Sequence, residues 1–404
     1  MSGLLDGLGT TDALTEVFSD RSILESMLRF EVALARTQSR LGLIPNEVAD
    51  AITRAVTADD FDPDAIVRGA RTSGTITIPF VRLLTARVAA ADPAAAAFVH
   101  RGATSQDVSD TALVLCLLRA QEILTKDHER LLAALRRLSE THAATVMLAR
   151  TLLQPAPPIT FGLKAAGWFG AVSRSGERMR TAFRDACVLQ FGGASGTLAA
   201  SGSHGLALAA GLVRDLGLEQ PDAPWHAHRD RFASLAAACG VYTGSLGKIA
   251  RDIALLMQQE VGEASEPGGG SSTMPHKRNP AGCAIALAAA TRVPGLVSSV
   301  LAGMPQEQER GLGNWHAEAG TIAAIVKATG AALSAIANVA EALHVDSDRM
   351  RANITATGDV VFAERAMLLL GPALGGDVTA RVIASALAAA RDGGNFVAAL
   401  TAQP

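Results

Sequence analysis

Residues 266–280 read EPGGGSSTMPHKRNP, a run with three glycines, three prolines and two positively charged side chains. Glycine is entropically costly in regular structure and proline lacks an N–H donor, so neither a helix nor a central strand suits this composition. The segment is therefore predicted to be a loop. Loops carry a large share of binding and catalytic residues, and a plain linker would not need the cation of Lys277. The sequence predicts a functional loop here.

On both sides of this loop the sequence has the pattern of long helices. Apolar residues recur at helical spacing in residues 19–45, where Ser19 or Asp20 can act as N-cap. Residues 103–154 contain neither glycine nor proline, which predicts an unusually long helix. Further helical patterns cover residues 160–188, 228–262, 281–303 and 317–343. Long helices rich in alanine and leucine predict an all-α protein built on a helical bundle, with apolar faces that continue into subunit contacts.

Two shorter segments interrupt the helical pattern. Residues 71–84 (RTSGTITIPFVRLL) predict an irregular loop or a short pair of strands. Residues 192–205 (GGASGTLAASGSHG) predict a close helix passage or a site loop. A phosphate cradle is the alternative, but no strand precedes the segment and no GK[ST] follows it. We predict three domains: residues 1–103, residues 104–345 with the functional loop, and residues 346–404.

Composition limits the classes of function. The 404 residues are 49% hydrophobic and carry a net charge of −3, which permits a large core but gives no basic field for nucleic acid or an anionic membrane. Four cysteines without CxxC spacing argue against a disulfide framework or a zinc site. The N-terminus lacks the pattern of a signal peptide, and apolar runs are expected to be broken before membrane-spanning length. We expect a cytoplasmic protein without metal or cofactor.

Three further segments combine hydroxyl and amide side chains at helix–loop junctions. They are residues 72–75 (TSGT), 100–107 (HRGATSQD) and 149–162 (ARTLLQPAPPITFG). Such side chains, together with helix N-termini, suit a carboxylate ligand and need no metal ion. Structural roles are the alternative: Thr104 and Ser105 could be N-caps of the long helix. Thr151 and Gln154 could be turn residues, and His100 could be a buried structural histidine.

The functional loop carries a family resemblance. Residues 270–280, GSSTMPHKRNP, match the GSSxMPxKxNP signature of the fumarase/aspartase superfamily. HRGATSQDVSDTA and ARTLLQPAPPITFGLKAAGW are similar to two further shared regions, and TSGTITIPFV falls where another would be. The stretches that resemble the cycloisomerases of this superfamily, which close a lactone on 3-carboxy-cis,cis-muconate, are TLLQPAPPITFGLKAAGW, LQFGGASGTLAASG, PWHAHRDRFASLA and QEQERGLGNWHAE. The resemblance runs over almost the whole chain.

This resemblance implies a fold and a reaction. The expected subunit is all-α, with three domains and a central five-helix bundle. Four subunits would form a twenty-helix core in a homotetramer, and each active site would draw on three of them. The implied reaction is the intramolecular addition of a carboxylate to a carbon–carbon double bond, the reverse of β-elimination, on a small tricarboxylate substrate.

The resemblance also implies roles for individual residues. Ser271 is the implied base in the elimination direction and the acid in the addition direction. Lys277 and Asn279 would hold the substrate and its aci-carboxylate intermediate, while His100 would orient a carboxylate or relay a proton. The other implied substrate-binding residues are Thr104, Ser105, Gln106, Thr151, Gln154, Ser272, Met274, His276 and Arg310.

Two departures from the superfamily pattern affect these expectations. Members that expel water or an amine usually carry histidine after the threonine of the third region, whereas Leu152 follows Thr151 here. Leucine cannot protonate a leaving group, but a carboxylate, with a pKa of about 4, departs without protonation. Leu152 therefore favours a lactone-forming enzyme over a lyase that releases fumarate from a succinyl adduct. That lyase, a catalytically silent scaffold and a helical binding module remain alternatives. The second departure is a C-terminal domain expected to be shorter than in relatives.

Overall fold

The structure is a computed structural model, and it describes residues 4–55, 57–270 and 273–403. Helices dominate these residues, which confirms the prediction of an all-α protein. The α-helices are α1 (Asp12–Val17), α2 (Asp20–Arg40), α3 (Asn46–Arg54), α4 (Pro63–Ser73), α5 (Thr77–Ala91), α6 (Ser105–Thr141), α7 (Phe161–Ala186), α8 (Gly205–Leu216), α9 (Asp230–Leu256), α10 (Ala281–Ala302), α11 (Asn314–Glu341), α12 (Ser347–Thr355), α13 (Ala363–Leu374), α14 (Gly376–Arg391) and α15 (Phe396–Thr401). The strands are β1 (Val146–Thr151), β2 (Gln154–Thr160), β3 (Ala264–Ser265) and β4 (His344–Val345).

Helix α2 begins and ends where its sequence predicts. The Ser19 hydroxyl caps it by accepting a hydrogen bond of 3.2 Å from the Ser22 N–H. Met27 and Leu34 are buried on its apolar face. Beyond its last residue, Gly42 takes the left-handed conformation with φ +73°, which glycine adopts at little cost.

The predicted helix over residues 103–154 is too long. Helix α6 ends at Thr141, and residues 146–160 form an antiparallel hairpin of β1 and β2. The absence of glycine and proline removes two helix breakers but does not itself make a helix. Val146 opens the first strand, and prolines at 155, 157 and 158 exclude a helix in the second.

The predicted loop or strand pair over residues 71–84, leading back into helix, is confirmed only as a short loop over residues 74–76, and no strand forms there. Helix α4 ends at Ser73, its C-cap Gly74 has φ +72°, and helix α5 starts at Thr77. Pro79 lies in the first turn of α5, where its missing N–H has no intrahelical partner to lose. The helix therefore accommodates a Thr-Ile-Pro sequence that resembles a strand boundary.

Two compact units account for the chain. Unit 1 comprises Met1–His128, Arg174–Gly247 and Ile285–Ser334. Unit 2 comprises Glu129–Ser173, Lys248–Ala284 and Ala335–Pro404.

In unit 1, α2 and α8 approach so closely that a Cβ on Gly211 would lie 2.2 Å from Cγ2 of Thr37. In unit 2, the C-terminal helices pack around Ile383, Ala386 and Phe396. The division into three domains, the five-helix bundle and the tetramer remain predictions.

In the described part of the chain, α10 and α11 are long and apolar enough to cross a membrane on length and composition alone. This corrects the expectation that every apolar run is broken before that length. In α11, 72% of the most apolar window is buried inside the protein, as in a core helix. In α10 only 22% of that window is buried. The residues of α10 therefore present a largely apolar surface.

Candidate active site

The signature loop of residues 266–280 lies in unit 2, and its described residues lie outside helices and strands, as predicted. The Asn279 N–H donates to the Gly269 carbonyl, and the Asn279 side-chain amide donates to the Gly270 carbonyl at 3.3 Å. Gly269 has φ +72°, and a Cβ there would lie 1.7 Å from the Asn279 oxygen. This position therefore requires glycine, and the two arms of the loop meet at Gly269 and Asn279.

Glu266 anchors the loop to the helix that follows it. Its carboxylate is 3% exposed and accepts hydrogen bonds from the N–H groups of Gly282 at 2.7 Å and Cys283 at 3.1 Å. A carboxylate stabilises the free N–H groups and the positive end of a helix. The sequence reasoning missed this role, although an acidic residue at the start of the signature loop was a visible signal.

The charged side chains of the loop are exposed. His276 and Lys277 are both on the surface, and the Lys277 N–H donates to the Met274 carbonyl at 3.0 Å. Neither side chain forms an ion pair with another described residue, so both remain available to an anionic ligand. Met274 is also exposed, at 41%. Ser271 and Ser272, both predicted site residues, lie outside the described residues.

Thr151 and Gln154 face each other across the tip of the β1–β2 hairpin, also in unit 2. Both are exposed, and the two residues between them, Leu152 and Leu153, have φ values of +51° and +65°. A two-residue turn with both φ values positive normally takes asparagine and glycine. Leu152 and Leu153 are 97% and 75% exposed. The hairpin therefore holds two leucines in a strained backbone and presents them to solvent in this subunit.

We expect the double variant Leu152→Asn, Leu153→Gly to raise the thermal unfolding midpoint. Relief of left-handed strain at two non-glycine positions should stabilise the hairpin by about 1–2 kcal/mol. We also expect lower turnover, because strained residues that persist in a fold tend to cluster at functional sites. Calorimetry and steady-state kinetics would measure the two effects. Leu163→Asn, an exposed leucine on α7, is the control for loss of a surface leucine. A lower midpoint would refute the assignment of strain.

Thr104 and Arg310, both predicted substrate-binding residues, contact each other in unit 1. Arg310 Nη1 donates to the Thr104 hydroxyl at 2.8 Å, and Nη2 donates to the carbonyls of Gly193 and Ala194 at 3.2 and 3.0 Å. Arg310 Nε is buried without a hydrogen-bond partner among the described residues. The guanidinium thus joins the start of α6 to the glycine-rich loop after α7.

Asp107 lies beneath this contact and orders the same two segments. It is 0% exposed and accepts hydrogen bonds from the N–H groups of Thr104, Gly192 and Gly193 at 2.9–3.0 Å. His226 Nε2 lies 2.7 Å from the same carboxylate. Asp107, the third residue of α6, therefore holds the N–H of Thr104 at the N-cap position, and the Thr104 hydroxyl accepts from Arg310. The sequence reasoning quoted Asp107 and His226 within motifs without giving either a role.

Ser105 and Gln106 occupy the first turn of α6. The Ser105 carbonyl accepts a hydrogen bond from the Thr77 hydroxyl at 3.1 Å, so the start of α5, two residues after the TSGT segment, lies against the start of α6. Gln106 is 0% exposed, and its amide donates to the His226 carbonyl at 2.9 Å. Its Oε1 is buried without a partner among the described residues. The structure thus places Gln106 in the buried layer under the surface residues.

His100 is held by a buried carboxylate. Its Nδ1 lies 2.6 Å from Oε1 of Glu31 on α2, and the Glu31 side chain is 2% exposed. Burial lowers the pKa of His100, but the hydrogen bond and charge of Glu31, with a smaller contribution from Asp107, outweigh it and leave the pKa raised. His100 is therefore more cationic than an ordinary histidine. Glu31 was missed because it lies 69 residues away in an ordinary amphipathic helix.

A second buried group that sequence reasoning missed surrounds Arg229 in unit 1. Its guanidinium donates to Asp110 at 2.7 and 3.1 Å and to Glu318 at 3.0 and 3.1 Å. It also lies 4.6 Å from the centre of the Trp225 ring. Burial lowers the pKa of Arg229, but the two carboxylates outweigh it and raise the pKa. The only signal in the sequence was the presence of charged residues within apolar helical patterns.

Each unit by itself offers groups that suit an anionic ligand. Thr104, Arg310 and His100 in unit 1 offer a hydroxyl and two cationic groups, and Lys277 and Asn279 in unit 2 offer an ammonium and an amide. Such donors bind carboxylates. Among the described residues there is no group of three or more histidine, cysteine, aspartate or glutamate side chains that could hold a metal ion.

Comparison with known proteins gives the family of this chain. A family model described as "Lyase" matches residues 8–295. The chain belongs to this lyase family. The chain is 46% identical to the 3-carboxy-cis,cis-muconate cycloisomerase of Pseudomonas aeruginosa, over 92% of this chain and 82% of the relative. It is 39% identical to a nitrosuccinate lyase of Streptomyces davaonensis, over 100% of this chain and 88% of the relative.

A solved structure agrees with these relatives. The fold of this chain matches that of the 3-carboxy-cis,cis-muconate lactonizing enzyme from Pseudomonas putida with a TM-score of 0.95 and 43% identity, over 100% of this chain and 91% of that chain. The resemblance of the signature loop to the fumarase/aspartase superfamily is thereby confirmed. The roles of the individual site residues remain predictions.

Proposed function

We propose that the protein is a cycloisomerase that converts 3-carboxy-cis,cis-muconate to 4-carboxymuconolactone in the breakdown of protocatechuate. The observation that carries this proposal is the identity of 46% with an enzyme of that name over 92% of the chain. The exposed cations and carboxylate-binding groups described above support a tricarboxylate substrate. The reaction is an isomerisation and needs no oxidant, water or cofactor.

The proposed reaction forms one C–O bond and one C–H bond. A substrate carboxylate oxygen adds to an alkene carbon and closes a five-membered lactone. The neighbouring carbon, which is α to another carboxylate, takes up the electron pair as an aci-carboxylate and is then protonated. We assign the proton to Ser271, with Lys277 and Asn279 on the charged intermediate. A serine hydroxyl is a poor acid at its ordinary pKa, so it needs nearby positive charge to stabilise its alkoxide.

Leu152 supports an unprotonated leaving group in the reverse direction. It occupies the position after Thr151, where superfamily members that expel water or amines usually have histidine. Its side chain is 97% exposed at the hairpin tip and carries no proton to donate. In the reverse reaction the leaving group is the carboxylate of the substrate itself, which departs without protonation.

Elimination of nitrite from nitrosuccinate is the second candidate. A relative with that name is 39% identical over the whole chain. Nitrite, like a carboxylate, is a stable anion and leaves without a proton donor, so Leu152 is compatible with both reactions. A lyase that expels an amine from a succinyl adduct is less well supported, because it needs the donor that Leu152 cannot be.

Ultraviolet absorbance separates the candidates. Purified protein mixed with 3-carboxy-cis,cis-muconate should remove the absorbance of the conjugated diene, and the lactone should appear by NMR. The same protein mixed with nitrosuccinate should release no fumarate and no nitrite. Loss of nitrosuccinate without loss of the diene would replace the cycloisomerase with the nitrite-eliminating lyase. If the protein converts neither the muconate nor nitrosuccinate, the catalytically silent homologue is better supported than either enzyme.

Helix α10 supports self-association. Only 22% of its apolar window is buried in the subunit, and Arg292 is its one charged residue. A second copy of the chain would remove that apolar surface from water. We propose a homotetramer in the cytoplasm, with active sites shared between subunits. Light scattering of the purified protein would measure its mass against that of one 41.6 kDa chain.

A further inference from the structure

Glu31 has an unusual environment for a carboxylate. It lies in α2, among buried residues such as Phe30 and Leu34, and its side chain is 2% exposed. Its hydrogen-bond partner is His100, and within the described residues it has no other. Burying a carboxylate is costly unless a cation or several donors compensate it. A carboxylate buried with a single partner at 2.6 Å is stabilised when that partner carries a proton on Nδ1.

The backbone of His100 is held in the left-handed conformation, which is costly for a residue that has a Cβ atom. Its φ is +58°, in the left-handed region, and Gly102 follows with φ +81°. Its side chain is 19% exposed, and Nε2 has no hydrogen-bond partner among the described residues. One ring nitrogen thus faces the buried Glu31, while the other remains available to a ligand.

The charged groups around His100 favour its cationic form. Glu31 faces it from α2, and Asp107 on α6 adds a smaller attraction. Arg101, the next residue, directs its guanidinium to the Leu43 carbonyl and over the Phe98 ring. In other enzymes, a buried carboxylate that is hydrogen-bonded to Nδ1 of a histidine orients the imidazole ring and stabilises its cationic form, while Nε2 stays open.

We propose that Glu31 is a positioning residue that keeps His100 as an imidazolium, so that its Nε2–H binds one carboxylate of the substrate. The proposal rests on the proposed function for the identity of the substrate, but the Glu31–His100 pair can be tested without it. His100 is then one of the cations that a tricarboxylate requires, and its role is binding rather than proton transfer.

The Glu31→Gln variant tests the charge separately from the geometry. Glutamine can still accept a hydrogen bond from Nδ1–H, so the ring orientation is kept while the negative charge is lost. At pH 8 we expect KM for 3-carboxy-cis,cis-muconate to rise by about tenfold with a smaller change in kcat, because one charge-assisted hydrogen bond is lost. Once the charge of Glu31 is removed, burial lowers the pKa of His100, so KM should return toward the wild-type value only below the ordinary range of a histidine, at about pH 5.

Three controls accompany this variant. Glu25→Gln removes an exposed carboxylate from the same helix, where Glu25 pairs with Arg21, and should leave KM unchanged. Glu31→Asp keeps the charge with a shorter reach and should recover part of the lost affinity. His100→Gln should raise KM at every pH, without recovery in acid. If the raised KM of Glu31→Gln does not fall at low pH, the role of Glu31 is purely structural and the proposal is overturned.

Binding of tricarballylate, a saturated tricarboxylate, separates this inference from the proposed function. Calorimetry should show weaker binding to Glu31→Gln than to wild type at pH 8, and similar binding to the two proteins at about pH 5, where His100 of the variant is protonated as well. If the protein binds tricarballylate in this way but does not convert the muconate, the proposed function fails and the Glu31–His100 pair stands. If the muconate is converted and neither KM nor tricarballylate binding depends on Glu31, the pair fails and the function stands.

Discussion

The Arg229→Met variant is expected to lose about 3–5 kcal/mol of unfolding free energy at pH 8, which is the usual cost of removing one partner from a buried ion pair. Arg229 is 1% exposed and pairs with Asp110 and Glu318, which are 4% and 6% exposed. Methionine fills part of the volume but leaves two buried carboxylates without their cation. Chemical denaturation with matched wild-type curves would measure the loss.

The two carboxylates should not contribute equally to this loss. Asp110 keeps three neutral donors, from Gln106 at 3.2 Å, Gln190 at 3.1 Å and Trp315 at 3.1 Å. Glu318 has no hydrogen-bond partner other than Arg229 within the described ranges. Adding Glu318→Gln to Arg229→Met should therefore recover more stability than adding Asp110→Asn. Equal recovery, or none, would contradict the assignment of Glu318 as the orphaned charge.

The loss should also depend on pH. Burial raises the pKa of Glu318 more than Arg229 lowers it, so the folded pKa lies above the unfolded value. The folded protein then binds more protons than the unfolded chain, and stability falls as pH rises through the folded pKa. Without Arg229 the pKa should rise further. The deficit of Arg229→Met should therefore be smaller at pH 5 than at pH 8, and a deficit that grows in acid would contradict this account.

The second large effect is expected from Ser271→Ala, which should lower kcat by about a thousandfold, within the usual range for loss of a general acid or base. The proposed mechanism gives Ser271 the proton that reaches the carbon α to the carboxylate. Since alanine removes that proton but none of the proposed carboxylate contacts, KM should change much less than kcat. Stopped-flow absorbance of the diene would measure single turnovers.

Thr273→Ala is the matched control, because it removes a hydroxyl from the same loop two positions later. It should retain activity within a few-fold of wild type. In heavy water the wild-type product should carry deuterium at the protonated carbon, and residual Ser271→Ala product should form at the much lower rate. A Ser271→Ala enzyme with wild-type kcat would keep the substrate assignment and refute the serine mechanism.

The accuracy of the sequence predictions differs between the long helices and the short segments. Helices α7, α10 and α11 lie within three residues of their predicted limits, because a helical period repeated over many residues is a strong local signal, and α9 ends six residues before its predicted limit. Strand β1 was predicted as the end of the long helix, and the start of α5 as loop or strand. In both places short-range composition was ambiguous, and packing of the segment decided its structure.

The sequence by itself determined the family, the all-α class and the position of the signature loop, because these depend on local periodicity and on an eleven-residue motif. It also showed that Leu152 stands where a proton donor would be expected. The tertiary structure alone decided which charges meet. Glu31 and His100 are 69 residues apart, Arg229 and Glu318 are 89, and Thr104 and Arg310 are 206. Hydrogen bonds and ion pairs act over a few ångströms, so their partners are set by packing of the chain and not by spacing along it.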